Sequence, residues 1–352
     1  LLCSCANTVR EADGTGGASA GGTGGTPGGS QNGTGGRGVP PSEWTQGIPP
    51  LHTEGNEFRD AEGNRVVLRG VAVADVSDLN LDRGDMNAVR LLDLLSDAAE
   101  GWYARVVRLT VYPERWLVDP EGYLEEHLKP AVEHASSRGL YVIIDWHEIS
   151  HVELVAERTE AFWRLVAPHF ANHTNVLFEL FNEPIETDDP SWSRWKGYAQ
   201  PWVDLIRESA PHNVILIGGP IWSQQIGGAA TDPFEGENLA YVGHIYPIID
   251  PFTWSASGPF AQVAQVRPLM ITEWGFRNDG GEIWDATQTS FGEPVKSFIE
   301  NQGASWTAWC ADSVWSPLMF DENWQLLEGP GEMGGFVKDW LAERKDDDQP
   351  QR

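Results

Sequence analysis

Eight short apolar runs recur along the chain, at Val66–Val73, Arg105–Val111, Leu140–Trp146, Val176–Phe181, Val214–Ile217, Ala240–Tyr246, Leu269–Trp274 and Ser305–Trp309. Their apolar residues are mostly continuous rather than alternating, so each run needs cover on both faces, which a parallel sheet between helices supplies. Between most of them lie stretches with apolar spacing of three and four, at Ala88–Ala99, Tyr123–Ser137, Val152–Phe170, Trp192–Ser209, Glu293–Asn301 and Gly335–Arg344. Eight βα units in roughly 290 residues predict an α/β fold of the (β/α)8 TIM-barrel type. A short β-hairpin turning at Glu62-Gly63-Asn64 precedes it. No Gly-rich dinucleotide loop follows any run, which speaks against an open doubly wound sheet.

The remaining sequence divides around that barrel, expected over residues 43–344. In residues 1–12, Leu2, Ser4 and Cys5 fit a lipobox, so this segment reads as the remnant of a lipoprotein signal with Cys5 as a lipid anchor. Residues 13–42 are rich in Gly, Ser and Thr and read as a flexible linker, and 345–352 as a charged tail. An extracellular or surface-tethered lipoprotein, monomeric, is the expectation. The chain carries 24 Lys and Arg against 52 Asp and Glu, a net charge of −28. Such a polyanion repels phosphate backbones, so nucleic acid is excluded as a partner. The acidic surplus reads as the surface of a salt-adapted or strongly solubilised extracellular protein. With only three Cys no disulfide framework is expected, and Cys310 reads as a buried apolar filler. The 17 Trp point either to flat, partly apolar ligands or to core packing.

In a TIM barrel the chemistry sits where the strands end. Those ends carry Arg108, His147, Asn182 with Glu183, Trp222, His244 with Tyr246, Glu273 and Trp309. Taken singly, Arg108 reads as an ion-pair partner, His147 as a satisfied core histidine and Trp309 as packing. Buried polar groups cost free energy unless partnered, and independent structural residues have no reason to coincide on one rim. Glu183 and Glu273 then face each other across the mouth, as glycoside hydrolysis requires of its two carboxyls. Arg108 and Asn182 would hydrogen-bond a carboxylate or a sugar hydroxyl, and Tyr246 would donate to the nucleophile. His147 and His244 complete the polar wall, while Trp309 offers a flat face to a pyranose. The scheme needs no metal and no cofactor; His147-Glu148 and His151 lack the His-Glu-x-x-His spacing of a zinc hydrolase.

These residues resemble glycoside hydrolase family 5, a family of retaining TIM-barrel enzymes. The matching stretches are Val-Val-Arg-Leu (106–109), Asp-Trp-His (145–147), Phe-Glu-Leu-Phe-Asn-Glu-Pro (178–184), His-Ile-Tyr (244–246), Ile-Thr-Glu-Trp-Gly (271–275) and Thr-Ala-Trp (307–309). The resemblance implies Glu183 as acid/base, Glu273 as nucleophile, and Arg108, His147, Asn182, His244, Tyr246 and Trp309 as their supporting shell. The Trp-Ser-Gln stretch at 222–224 is similar to bacterial cellulases of the family, which implies cellulose or mixed-linkage β-glucan as the polysaccharide substrate. A β-mannanase or another family 5 glycanase is the alternative, and a non-catalytic glycan-binding surface protein the remote one. Trp222 is the first candidate for a further sugar platform, ahead of Trp116, Trp254 and Trp315. Trp146 and Trp274 alternate away from the site and are expected in the core.

Overall fold

The computed structural model describes residues 45–185 and 191–351; the lipobox with Cys5 and the Gly-rich linker fall outside the described residues. The chain first forms an antiparallel meander of β1 (His52–Glu54), β2 (Glu57–Arg59) and β3 (Arg65–Val66). The expected hairpin is its second half. Asp60 Oδ1 makes that turn by accepting the backbone N–H groups of Glu62 at 3.0 Å and Asn64 at 2.9 Å. The extra strand β1 carries no apolar alternation, so nothing local announces it. The first apolar run is divided, Val66 going to β3, Arg69–Val73 to the barrel, and Val67 and Leu68 linking the two.

Eight parallel strands close the barrel in the order β4 (Arg69–Val73), β5 (Val106–Val111), β6 (Tyr141–Trp146), β8 (Val176–Glu179), β10 (Ile215–Ile217), β11 (Leu239–Ile245), β12 (Leu269–Trp274) and β13 (Ser305–Ala308). A separate two-stranded ribbon on the rim joins β7 (Ile149–Ser150) to β9 (Glu183–Pro184). Of the surrounding helices, Val152–Phe170 and Trp192–Ser209 run between the bounds their apolar spacing predicts. The pattern at Ala88–Ala99 breaks: the helix stops at Leu95, and Asp97 caps a separate turn, Ala98–Glu100.

Strand alternation divides the interior into two storeys. Tyr141, Ile143, Leu177, Leu216, Val242 and Met270 point inward at the lower end and pack with Ile48, Leu51, Phe58 and Val66, so the meander closes the bottom of the barrel. One pleat higher on the same inward faces stand Arg108, Asp145, Glu179 and Thr272, all buried. The outward residues, among them Val107, Ile144, Phe178 and Trp306, pack against the helices. Trp102, Trp146, Trp163, Trp195, Trp274, Trp306 and Trp340 are fully buried, so much of the tryptophan excess is core packing. The segment after Arg344 is hydrogen-bonded to the barrel base: Val67 N donates to Asp348 O at 3.1 Å and Gln351 N to Asp60 Oδ2 at 2.8 Å. No described helix is long and apolar enough to cross a membrane.

Candidate active site

Arg108 occupies the centre of the upper storey with no exposed surface. Its Nε donates to Glu179 Oε2 at 2.6 Å, Nη1 to Glu273 Oε1 at 2.7 Å, and Nη2 to Asn182 Oδ1 at 2.7 Å and Asp145 Oδ2 at 2.9 Å. A buried cation is tolerated only when paired, and here three carboxylates surround one guanidinium. Burial penalises its charge, but Asp145, Glu179 and Glu273 outweigh that and hold it protonated.

Glu273 receives a second donor, Tyr246 Oη at 3.0 Å on Oε2, and His244 Nδ1 stands 3.6 Å from that same oxygen. Burial alone would raise this carboxyl, yet the charges of His244 and Arg108 lower it below the usual range. A β-bulge sets its direction. Ile271 pairs with Gly243 and Glu273 with His244, so Thr272 is an extra residue on β12 and the alternation slips. Thr272 and Glu273 therefore both reach the interior, while Trp274 turns outward into the core with Trp306 and Trp340.

Glu183 lies in the rim ribbon, where its N–H donates to Glu148 O at 3.0 Å. Its Oε1 is 2.7 Å from His244 Nδ1, and its side chain is somewhat more open than that of Glu273, at 12% against 7%. Asn182, just before it, uses Oδ1 on Arg108 and leaves its buried Nδ2 with no acceptor among the described residues. The donor atoms of Glu183, His244 and Glu273 all lie within 4.8 Å of one another, the only such grouping of His, Cys, Asp and Glu among the described residues. A cation there would have to displace the His244 to Glu183 and Tyr246 to Glu273 hydrogen bonds, so these side chains do not form a prepared metal cradle.

The site continues as an aromatic wall. His147 stacks between Tyr112, with centroids 4.4 Å apart, and Trp309, 5.2 Å away, and its Nδ1 meets Asp145 Oδ2 at 2.6 Å. Trp309 is only 6% exposed, so it offers a ligand a limited area. Trp222 is half-buried on the β10 side, in a turn where Ile221, Trp222 and Ser223 all have positive φ, 54°, 53° and 57°. Ser223 Oγ donates to Asn182 O at 2.8 Å and ties that turn to the Glu183 segment. Trp116 is buried against Tyr123 and Phe162, which removes it from the platform candidates. Trp254 packs edge-on against Phe291 and Phe298, and Trp315 edge-on against Tyr112.

Arg108, His147, Asn182, Glu183, His244, Tyr246, Glu273 and Trp309 are thus brought into one constellation, with Trp222 at its edge. Asp145, Glu179, Thr272 and Tyr112 belong to it and were not singled out from the sequence. Glu179 and Asp145 carried a usable signal: each is an acid one pleat above an inward apolar residue, Leu177 and Ile143, in an otherwise apolar strand. Thr272 stands likewise one pleat above the inward Met270, and the bulge redirects Glu273 beside it. Cys310 is fully buried, and burial pushes its thiol well up.

A sequence model of the family described as Cellulase (glycosyl hydrolase family 5) matches residues 60–314. Endoglucanase E-5 of Thermobifida fusca is 27% identical over 290 residues, covering 78% of this chain and 59% of that protein. Endoglucanase N of Pectobacterium atrosepticum is 28% identical over 311 residues, covering 83% of this chain and 63% of the relative. The chain therefore spans about six-tenths of the length of these relatives. Among solved structures, the β-glucanase SdGluc5_26A of Saccharophagus degradans superposes with a TM-score of 0.75 at 26% identity, covering 88% of this chain and 97% of that one. The same β-glucanase in complex with cellotetraose superposes with a TM-score of 0.74. With the barrel, the paired carboxylates and a match over most of its length, the chain belongs to glycoside hydrolase family 5.

Proposed function

We propose that the protein is a retaining endo-β-1,4-glucanase that cleaves cellulose or mixed-linkage β-glucan by double displacement. The observation that carries this reading is the closeness of two carboxylates in unlike surroundings. Their nearest oxygens lie within 4.8 Å, closer to the roughly 5–5.5 Å of retaining pairs than to the roughly 6.5–9.5 Å of inverting ones. Glu273, held ionised by Arg108 and Tyr246, suits the nucleophile; Glu183, bonded through its side chain to His244 and more open, suits the acid/base.

In the first displacement an oxygen of Glu273 bonds to the anomeric carbon as that carbon's bond to the glycosidic oxygen breaks, and Glu183 gives its proton to the glycosidic oxygen of the leaving sugar. In the second, Glu183 takes a proton from water, whose oxygen bonds to the same carbon as the ester to Glu273 breaks. Two inversions return the β configuration. Asn182 Nδ2, a buried donor with no partner among the described residues, is available to a sugar hydroxyl beside the reacting centre. Trp222 and the open part of Trp309 supply apolar faces for neighbouring sugars. The glucan choice is supported by relatives named endoglucanase and β-glucanase and by a neighbour solved with cellotetraose. Export and tethering through Cys5 belong to the same proposal; labelled palmitate should be incorporated by the wild type and not by Cys5→Ala.

The test is reducing-sugar release from carboxymethylcellulose, barley β-glucan, glucomannan, mannan and xylan, with Glu273→Ala alongside and NMR of the first-formed anomer. Glucan cleavage giving β-product, abolished in the variant, is expected. Activity confined to mannan makes the protein a β-mannanase with the same mechanism. An α-product would overturn retention, and full activity in Glu273→Ala would remove that residue from the chemistry.

A further inference from the structure

The polar storey beneath the two carboxylates contains one connection that the proposed reaction leaves unused. It runs from Glu179 through Thr272 and His244 to Glu183. We propose that Glu179 and Thr272 are positioning residues for the acid/base arm: they hold His244 with Nε2 protonated, so that only its Nδ1 is left to face Glu183. The proposal rests on the reading of Glu183 as the acid/base.

The argument follows from counting protons. Glu179 is wholly buried; its Oε2 takes Arg108 Nε at 2.6 Å and its Oε1 takes Thr272 Oγ1 at 2.8 Å. An ionised carboxylate has no proton to give, so the hydroxyl must donate to it. A hydroxyl has a single proton. Toward His244 Nε2, 3.2 Å away, Thr272 Oγ1 can therefore only accept, and Nε2 must carry the hydrogen. Glu179 Oε1 is itself 3.9 Å from Nε2, close enough to stabilise charge on the ring but too far for a hydrogen bond. The hydroxyl is the intermediary.

The consequence appears on the other side of the ring. With the Nε2 proton committed, one further proton is shared between His244 Nδ1 and Glu183 Oε1, which are 2.7 Å apart. When it sits on Nδ1 the ring donates to Oε1, and the separate proton that Glu183 takes up as an acid is left to Oε2. With Nδ1 bare, the proton of Glu183 would be drawn to Oε1 and aimed at the ring instead of at a leaving group. The ring faces Glu179 and Glu183 from the fourth barrel strand and its loop, Glu273 from β12, Tyr246 on its own segment and, beyond these, Arg108 from β5. Burial opposes a charge on the ring, but the negative charges of Glu273, Glu179 and Glu183 prevail and push it up to about 10. Glu179 stays ionised, because Arg108 and its hydrogen bonds overcome burial and bring it down to about 2.

The test follows the 15N signals of the His244 ring with pH in wild type, Thr272→Val and Thr272→Ser. Wild type and Thr272→Ser should show Nε2 protonated throughout, with titration only at the alkaline end. In Thr272→Val, which keeps the shape and the Arg108 to Glu179 pair, the titration midpoint should fall by about one to two pH units. Its kcat on glucan should fall roughly tenfold and recover in Thr272→Ser. An unmoved midpoint in Thr272→Val overturns the proposal. So does a wild-type ring with Nδ1 protonated and Nε2 bare, a result that requires no variant to fold. Glu183→Ala compared on glucan and on an aryl cellobioside with an activated leaving group tests the underlying reading separately. Equal losses on both substrates would remove Glu183 as the acid and leave the histidine result standing.

Discussion

Arg108 and Glu273 meet through a single 2.7 Å contact from Nη1 to Oε1, while the rest of the guanidinium is taken by Glu179, Asp145 and Asn182. The fork thus fixes both where the Glu273 oxygen sits and that it stays ionised. A lysine reaches only one of these partners at a time. Arg108→Lys should lose at least one charge-assisted hydrogen bond, about 1.5–3 kcal/mol, or roughly 10- to 150-fold in kcat/KM. Arg108→Ala leaves three carboxylates without their cation and should lower unfolding free energy by about 3–5 kcal/mol in urea titrations. Wild-type stability in Arg108→Ala would show that the cation does not hold this storey together.

Tyr246 donates to the other oxygen of Glu273. Removing that donor destabilises the ionised form, so the carboxyl titrates at higher pH. Tyr246→Phe should move the acid limb of kcat/KM upward by about one pH unit, with the alkaline limb unmoved. A shift in the opposite direction would contradict the assignment.

The same groups set how stability depends on pH. Glu179 is lowered to about 2 from an ordinary 4.5, so its contribution is complete above 4.5 and is lost as pH falls toward 2. Glu273 is lowered as well and acts in the same direction, while Asp145, raised chiefly by burial, subtracts from it. His244 is raised to about 10 from 6.5, so its contribution is complete below 6.5 and is lost as pH rises toward 10. The urea midpoint should therefore be highest between pH 4.5 and 6.5 and fall on both sides. Glu179→Gln should flatten the acid side.

Trp222 sits at φ 53° between two other residues with positive φ. A left-handed backbone costs a non-glycine residue about 1–2 kcal/mol, which glycine avoids. Trp222→Gly should keep or raise Tm while increasing KM for β-glucan several-fold. A loss of Tm with KM unchanged would make the indole a packing residue rather than a sugar platform.

The net charge of −28 implies strong self-repulsion at low ionic strength. At 1 M salt the screening length is about 3 Å, so Tm and activity should hold or rise there. A steep fall in both would count against salt adaptation of this surface.

Much of the frame is legible locally. Apolar runs such as Leu269–Trp274 became barrel strands with unchanged bounds, and Val152–Phe170 became a helix residue for residue, because burial on two faces or on one stripe leaves a period in the sequence. The polar strand ends were legible for the same reason: Arg108 and Glu273 interrupt stretches that are otherwise apolar. Other features had no local signature. β1 is held by its partner strand, and Trp116 is buried by Tyr123 and by Phe162, which arrives from a later helix.

By itself, then, the sequence determined eight βα units and which chemical groups line one rim, since both follow from periodicity within a few residues. Which atom meets which was decided only by barrel closure. One extra residue on β12 turns Thr272 and Glu273 inward together, and strands more than sixty residues apart bring Arg108, Glu179, His244 and Glu183 within hydrogen-bond reach. Periodicity records which face a side chain takes; the register between strands, which sets those distances, is a property of the closed barrel.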